Sequence, residues 1–156
     1  MTEPVGMRGM RKTLMIHRVV QILLIALLLF MAMHFLQTFQ DKVGNLKPFY
    51  TSLFITLLVQ VALFFPIRKF ADKEAIRELN AAAKGTMTFD EQKQLRFQRL
   101  LSDFIKASVF IFFVTFILMA PPVHFLLSTS YFCCIGTVLS YLQNFNFAVR
   151  RHMTTP

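Results

Sequence analysis

Residues 19–40 read VVQILLIALLLFMAMHFLQTFQ, and this stretch contains no Asp, Glu, Lys or Arg. It lies between Arg18 and Asp41 and consists mainly of Leu, Ile, Val, Phe and Met. About 20 such residues, at ~1.5 Å per residue, cross the ~30 Å hydrocarbon layer of a bilayer. A buried helix of a soluble protein rarely has so long a run without a polar face. The stretch therefore predicts a transmembrane helix.

The composition of the whole chain favours a membrane protein. Hydrophobic residues make up 55% of the 156 residues, and they are concentrated in long blocks rather than spread as in a soluble core. The formal net charge is +9. Because the basic residues flank the apolar blocks, membrane lipids are the expected partner. No basic groove interleaved with stacking aromatics is evident, so we expect no nucleic-acid partner.

The first half of the chain predicts two long helices and a short one. Helix 1 is expected over residues 14–39, and the turn formers of DKVGNLKP, residues 41–48, return the chain at once. Helix 2 is expected over 48–67, with Pro48 as its first residue. The polar, Ala-rich residues 72–84 predict a separate surface helix with Gly85 as its C-cap.

The second half predicts two more long helices. Thr88 and Glu91 have the spacing of a capping box, and the pattern is helical from there to residue 119. Pro121-Pro122 ends or kinks that helix. A turn between residues 120 and 130 then leads into helix 4, which is expected to end near residue 149.

These elements predict an all-α fold: an integral membrane four-helix bundle made of two transmembrane hairpins. A helical cytoplasmic connector joins helices 2 and 3. The expected divisions are a basic cytoplasmic tail (1–13), hairpin 1 (14–67), the connector (68–104), hairpin 2 (105–149) and a C-terminal tail (150–156).

The distribution of charge predicts the orientation. Residues 1–18, 68–106 and 150–156 hold 15 of the 17 Lys and Arg residues, which leaves Lys42 and Lys47 in the first turn. By the positive-inside rule, both termini and the connector are cytoplasmic. The unequal distribution of Lys and Arg between the two sides, together with the short outer loops, favours the inner membrane of a bacterium. Basic residues expected to contact lipid headgroups or a partner are Arg8, Arg11, Lys12, Arg18, Arg68, Lys69, Arg96, Arg99, Arg150 and Arg151.

Polar side chains inside the apolar segments are the candidate functional residues, because each is costly in hydrocarbon unless it has a partner. Gln21 and Gln60 each lie about seven residues from the cytoplasmic end of their helix, which predicts one shared depth of roughly 10 Å. Thr115, Ser140 and Gln143 are expected near the same layer. Interhelical hydrogen bonds are the favoured role for this layer, and a path for a polar ligand is the alternative.

Two histidines offer a cofactor hypothesis. His34 and His124 are expected at matched depth near the outer surface, where two imidazoles could hold a b-type haem or take part in quinol binding with proton transfer. A structural role is the favoured interpretation, because an interfacial histidine needs no ligand. No cofactor and no metal is therefore expected.

The leading functional hypothesis is a non-enzymatic accessory, assembly or scaffolding subunit with a protein partner or a second copy of itself. No HExxH, GxSxG, P-loop or dinucleotide motif is present. No Asp or Glu lies within a predicted span, which argues against carboxylate-coupled transport. The alternatives are a small redox subunit using His34 and His124, and an oligomeric transporter or channel lined by Gln21 and Gln60.

Overall fold

The computed structural model describes residues 5–84, 88–119 and 123–154. Four α-helices account for nearly all of them: α1 (Val5–Val43), α2 (Lys47–Ala83), α3 (Phe89–Met119) and α4 (His124–Thr154). Each contains a stretch long and apolar enough to cross a membrane, as expected of a multi-pass membrane protein. The prediction of an all-helical, four-helix chain is confirmed.

The first connection is a tight turn, as predicted. Gly44 has a φ of 63°, a left-handed conformation that favours glycine. Asn45 accepts a 2.9 Å hydrogen bond from the backbone N–H of Lys47, and α2 begins there, one residue before the expected start at Pro48. Helix α1 is longer at both ends than the expected residues 14–39. At its start it includes much of the sequence assigned to the basic tail, and at its end it continues to Val43.

Helix α2 is continuous, so the prediction of a separate surface helix at 72–84 was wrong. Pro66 lies inside α2 and cannot donate a backbone hydrogen bond, yet the helix runs on through the Ala-rich segment to Ala83. Ala71 and Ala75 are completely buried there. Their packing against other helices compensates for the bond that proline removes. The predicted C-cap, Gly85, lies outside the described residues.

The predicted start of α3 is confirmed by its capping box. The Thr88 N–H donates to Glu91 Oε2 at 3.2 Å, and the Glu91 N–H donates to Thr88 Oγ1 at 3.4 Å. Helix α3 then continues to Met119 as expected. Pro121 and Pro122 lie outside the described residues. Helix α4 extends past residue 149, because Arg150 and Arg151 continue its last turns.

Helices α2 and α4 run parallel and form the centre of the molecule. Ser52 Oγ and Ser128 Oγ are 2.9 Å apart and both residues are fully buried. Further along, Gln60 Nε2 donates to the Cys133 carbonyl at 3.0 Å. Small and hydroxyl-bearing side chains thus let the two backbones approach closely, which is a common way to pack helices in membrane proteins.

Helix α1 runs antiparallel to this pair and closes two hydrophobic clusters. At one end, which we call the aromatic end, the cluster is Phe35, Phe39, Phe49 and Phe132. At the other, which we call the basic end, the cluster is Met10, Ala71, Ala75, Phe145, Ala148 and Val149. The start of α1 and the ends of α2 and α4 therefore meet at the basic end.

Helix α3 is attached differently. Its first half carries ion pairs to α2 through Arg99 and Lys106, and Ser102 in this half is buried. None of the residues from 107 to 119 is buried. The apolar half of α3 therefore lies on the outside of the bundle.

Candidate functional site

A cluster of charged side chains joins α2, α3 and α4 at the basic end. We call Glu74, Arg77, Glu78, Arg99, Lys106 and Tyr141 the ionic cluster. Its central residue, Glu74, has only 9% of its side chain exposed. Lys106 Nζ lies 2.6 Å from Glu74 Oε1, and the Tyr141 hydroxyl donates to Glu74 Oε2 at 2.7 Å. Both oxygens of this buried carboxylate therefore have partners from other helices.

The second carboxylate of the ionic cluster binds an arginine through both oxygens. Arg99 donates to Glu78 at 3.0 and 2.5 Å. Arg77 also donates to Glu78, at 3.2 Å, and to the Gln98 carbonyl at 2.8 Å. Burial raises the pKa of Glu78, but the hydrogen bonds and positive charges of Arg99 and Arg77 outweigh it and lower the pKa. Glu78 therefore stays ionised and holds α3 against α2.

The sequence analysis missed the ionic cluster because it assigned these carboxylates to a solvated surface helix. A signal was present in the spacing. Ala71, Glu74, Ala75 and Glu78 recur at intervals of three and four residues, so they share one face of the helix. Since Ala71 and Ala75 are small enough to be packed against another helix, Glu74 and Glu78 on the same face are placed in the interface too.

A cavity of about 540 Å³ adjoins the ionic cluster and is lined by the start of α1, among other segments. His17 faces it, and its Nδ1 atom is 3.3 Å from Asn146 Oδ1. Asn146 Nδ2 in turn donates to Gln21 Oε1 at 3.3 Å. Gln21 is therefore a partner of α4 through Asn146, a residue that the sequence analysis did not single out.

Gln60, on α2, bonds to α4 at a different level. Besides its bond to Cys133, it donates to Thr137 Oγ1 at 3.3 Å. Thr137 and Asn146 are nine residues apart on α4, about 13 Å along the axis. The predicted shared depth of Gln21 and Gln60 was therefore wrong, because equal distances from two helix ends give equal depth only when the helices are in register.

Glycine at position 136 leaves space where the Gln60 side chain crosses α4. A Cβ atom added to Gly136 would lie 2.9 Å from both Cδ and Nε2 of Gln60. Gln60 Oε1 is buried, and no hydrogen-bond partner for it is found within the described ranges. The small residue thus makes room for a polar crossing between α2 and α4.

A groove of about 790 Å³ lies beside this crossing, between α2 and α4. Gln60, Ser140 and Gln143 all line it, together with Asn144 and Arg68. Three of the five predicted layer residues are therefore brought together. Thr115 is not among them, because it is exposed on the outer half of α3.

The two candidate haem or quinone ligands contact different phenylalanines. His34 is exposed and packs beside Phe35, with ring centroids 6.1 Å apart, whereas His124 is half-buried and packs edge-on against Phe39 at 6.2 Å. Phe39 is five residues from His34, so the two imidazoles are offset by about 8 Å along α1 rather than level. The redox hypothesis stays a prediction.

The basic residues proposed to contact headgroups or a partner are exposed where their side chains are described. These are Arg11, Lys12, Arg18, Arg68, Lys69, Arg96, Arg99, Arg150 and Arg151. Arg99 has a second role as the partner of Glu78. The side chain of Arg8 lies outside the described part of the chain.

The ionic cluster holds α3 and α4 against α2 through ion pairs and a hydrogen bond. Both oxygens of Glu74 accept hydrogen bonds from within the protein, so this carboxylate is poorly placed as a general base. Within residues 5–84, 88–119 and 123–154, no group of three or more His, Cys, Asp or Glu side chains is arranged to hold a metal ion. Comparison with protein-family models, curated proteins and solved structures finds no match.

Proposed function

We propose that the protein is a non-enzymatic accessory, assembly or scaffolding subunit of a membrane complex, and that α3 is the helix through which it binds its partner. The partner is a transmembrane helix, supplied by another subunit or by a second copy of this chain. The haem or quinone subunit and the oligomeric transporter are the alternatives from the sequence.

The proposed topology is a pair of transmembrane hairpins with both termini and residues 68–104 in the cytoplasm of a bacterium, below its inner membrane. The packing supports this arrangement. The start of α1, the ends of α2 and α4 and the first half of α3 meet at the basic end. The segments that meet there carry 15 of the 17 Lys and Arg residues, as the positive-inside rule requires of the cytoplasmic side.

The observation that carries the proposal is the contrast between the two halves of α3. The first half is fixed by the ion pairs of Arg99 and Lys106. The second half is apolar and unburied, with Phe112 64% exposed and Leu118 78% exposed. A helix fixed at one end with its apolar half outside presents a surface to another helix in the bilayer.

Site-specific photo-crosslinking in native membranes tests the proposal. A benzoylphenylalanine at position 112 is compared with one at position 30 on α1, where the phenylalanine is 67% exposed. The residue type and exposure are matched, so a difference reports the partner of α3 rather than access to the probe. We expect a discrete protein adduct from position 112 and lipid adducts from position 30.

The oligomeric state of the protein in nanodiscs, measured by native mass spectrometry, separates the two sources of the partner. A dimer crosslinked through position 112 identifies a second copy, and a single additional polypeptide identifies a heteromeric complex. Lipid adducts alone at both positions, with a monomer in nanodiscs, would contradict the proposal.

A further inference from the structure

The groove between α2 and α4 is walled by one face of each helix. Gln60, Phe64 and Arg68 line it from α2, and Gly136, Ser140 and Gln143 line it from α4. Both sets recur at the three- and four-residue spacing of a single helix face. Because the helices are parallel, the two faces remain side by side along the whole groove.

The groove is about as long as one lipid leaflet is thick, and its lining changes from apolar to polar along that length. Leu57 and Arg68 are eleven residues apart, about 16 Å of helix, which is close to half of the ~30 Å hydrocarbon layer. The apolar residues Leu57, Val61 and Leu139 line the deep part. Gln143 and Asn144 lie nearer the basic end; Asn144 Nδ2 donates to the Ser140 carbonyl at 2.8 Å, which leaves its second amide hydrogen for a ligand.

The mouth of the groove is cationic. Arg68 has 47% of its side chain exposed, and its nearest carboxylate oxygen, on Asp72, is 3.9 Å away. That distance is too long for a hydrogen bond. The guanidinium therefore keeps donors for an anionic group at the level where the apolar segment of α2 ends.

We propose that this groove binds one anionic glycerophospholipid. Arg68 binds the phosphate, the amides of Gln143 and Asn144, which lie at about the level of Arg68, donate to other oxygens of the headgroup region, and an acyl chain lies along Leu57, Val61 and Leu139. The single cation at one end fits an amphiphile with one charged head. An uncharged quinone makes no use of the Arg68 guanidinium, and an apolar partner helix offers no anion to it.

This inference rests on the proposed membrane placement and is tested separately from it. The chain contains no tryptophan, so one introduced tryptophan is the reporter. Phe64→Trp places it in the groove, four residues from Arg68. Its fluorescence is measured in mixed vesicles of phosphatidylcholine and phosphatidylglycerol. In one sample the phosphatidylglycerol is brominated, and in the other the phosphatidylcholine is. The ratio of the quenching in the first sample to that in the second gives the relative affinity for phosphatidylglycerol.

Two matched variants serve as controls. Phe110→Trp on α3 lies four residues from Lys106, whose charge is engaged by Glu74, so its ratio is expected to stay near one. In the Phe64→Trp background, Arg68→Gln removes the proposed phosphate ligand. Lys69→Gln removes an equal charge from the next residue, which is outside the groove lining.

We expect phosphatidylglycerol to be preferred about fivefold at position 64, because one cation near an anionic headgroup contributes about 1 kcal/mol. The preference is lost with Arg68→Gln and kept with Lys69→Gln. Equal ratios at positions 64 and 110, or equal losses with both charge variants, would overturn the lipid site. An absence of quenching at both positions by either brominated lipid would instead overturn the membrane placement.

Discussion

Helices α3 and α4 have the same length, 31 residues, but their burial differs. In the most apolar part of α4, 33% of the residues are buried, against 6% in α3, although α3 is the more apolar of the two. Helix α4 carries Ser128, Gly136 and Thr137 on its packed side, whereas α3 carries the run FIFFVTFI.

The difference shows that apolarity does not decide which helix is packed inside this chain. In the proposed bilayer placement the lipid is as apolar as a phenylalanine side chain, so burial of α3 would gain little from the hydrophobic effect. Small residues shorten the distance between helices, and hydroxyls and amides then bond across it. Helix α4 has these features and α3 lacks them in its second half.

The largest effect is expected from a matched pair of phenylalanines. Phe132 on α4 is 3% exposed and Phe112 on α3 is 64% exposed. Phe132→Ala leaves a cavity in the aromatic end and is expected to lower the free energy of unfolding by about 3 kcal/mol, whereas Phe112→Ala is expected to cost under ~0.5 kcal/mol. Unfolding by SDS in mixed micelles measures both. Similar losses would contradict the contrast between α3 and α4.

The next effect concerns the ionic attachment of α3. Glu74→Gln removes the charge that binds Lys106 and Arg77, which leaves two cations facing a neutral amide, so a cost of about 2 kcal/mol is expected. Asp103→Asn is the control, because Asp103 is 73% exposed and lies 3.6 Å from the same Lys106. Hydrogen exchange is expected to rise over residues 91–106 in Glu74→Gln alone. Unchanged exchange in both variants would show that α3 is held by other contacts.

A substitution at the polar crossing tests the close approach of α2 and α4. Gly136→Leu forces Gln60 out of its place and is expected to cost about 1–3 kcal/mol by overpacking. Gly9→Leu is the control, since a Cβ at Gly9 has no atom within 4 Å. Combining Gly136→Ala with Gln60→Ala is expected to cost less than the sum of the single changes, because the second removes the clash of the first. Strict additivity would rule out this explanation.

The smallest effect is expected from the interhelical amide itself. Gln60→Leu removes two hydrogen bonds to α4, and bonds of this kind contribute about 0.6–2 kcal/mol. Thr115→Val, on the exposed half of α3, is expected to change the free energy of unfolding by less than ~0.5 kcal/mol. Both are measured by the same SDS titration. A cost for Thr115→Val as large as that for Gln60→Leu would indicate a buried role for α3.

The sequence is a good guide where the signal is local. The bounds of α3 follow from a capping box and an unbroken helical pattern, and the first turn follows from Gly44 and Asn45. These features depend on residues within one turn of each other. The four long apolar helices are likewise found by averaging hydropathy over windows of about 20 residues.

The features that the sequence analysis missed depend on register between distant helices. Glu74 is buried because α2 and α4 run parallel and bring Tyr141 beside it. No local stretch of sequence includes both residues. Gln21 and Gln60 reach α4 at different levels for the same reason. The continuation of α2 past Lys69 also depends on tertiary packing, since Ala71 and Ala75 are anchored by other helices.

The parallel pairing of α2 with α4 has a consequence for synthesis. Ser52 and its partner Ser128 are separated by 76 residues, which a ribosome takes roughly 4–15 s to translate at about 5–20 residues per second. During that interval the hydroxyls and the amide of α2 have no partner from α4. If the helices enter a bilayer as proposed, Ser52 and Gln60 of the nascent chain would be open to an insertase or a chaperone during that interval, and completion of α4 would cover them.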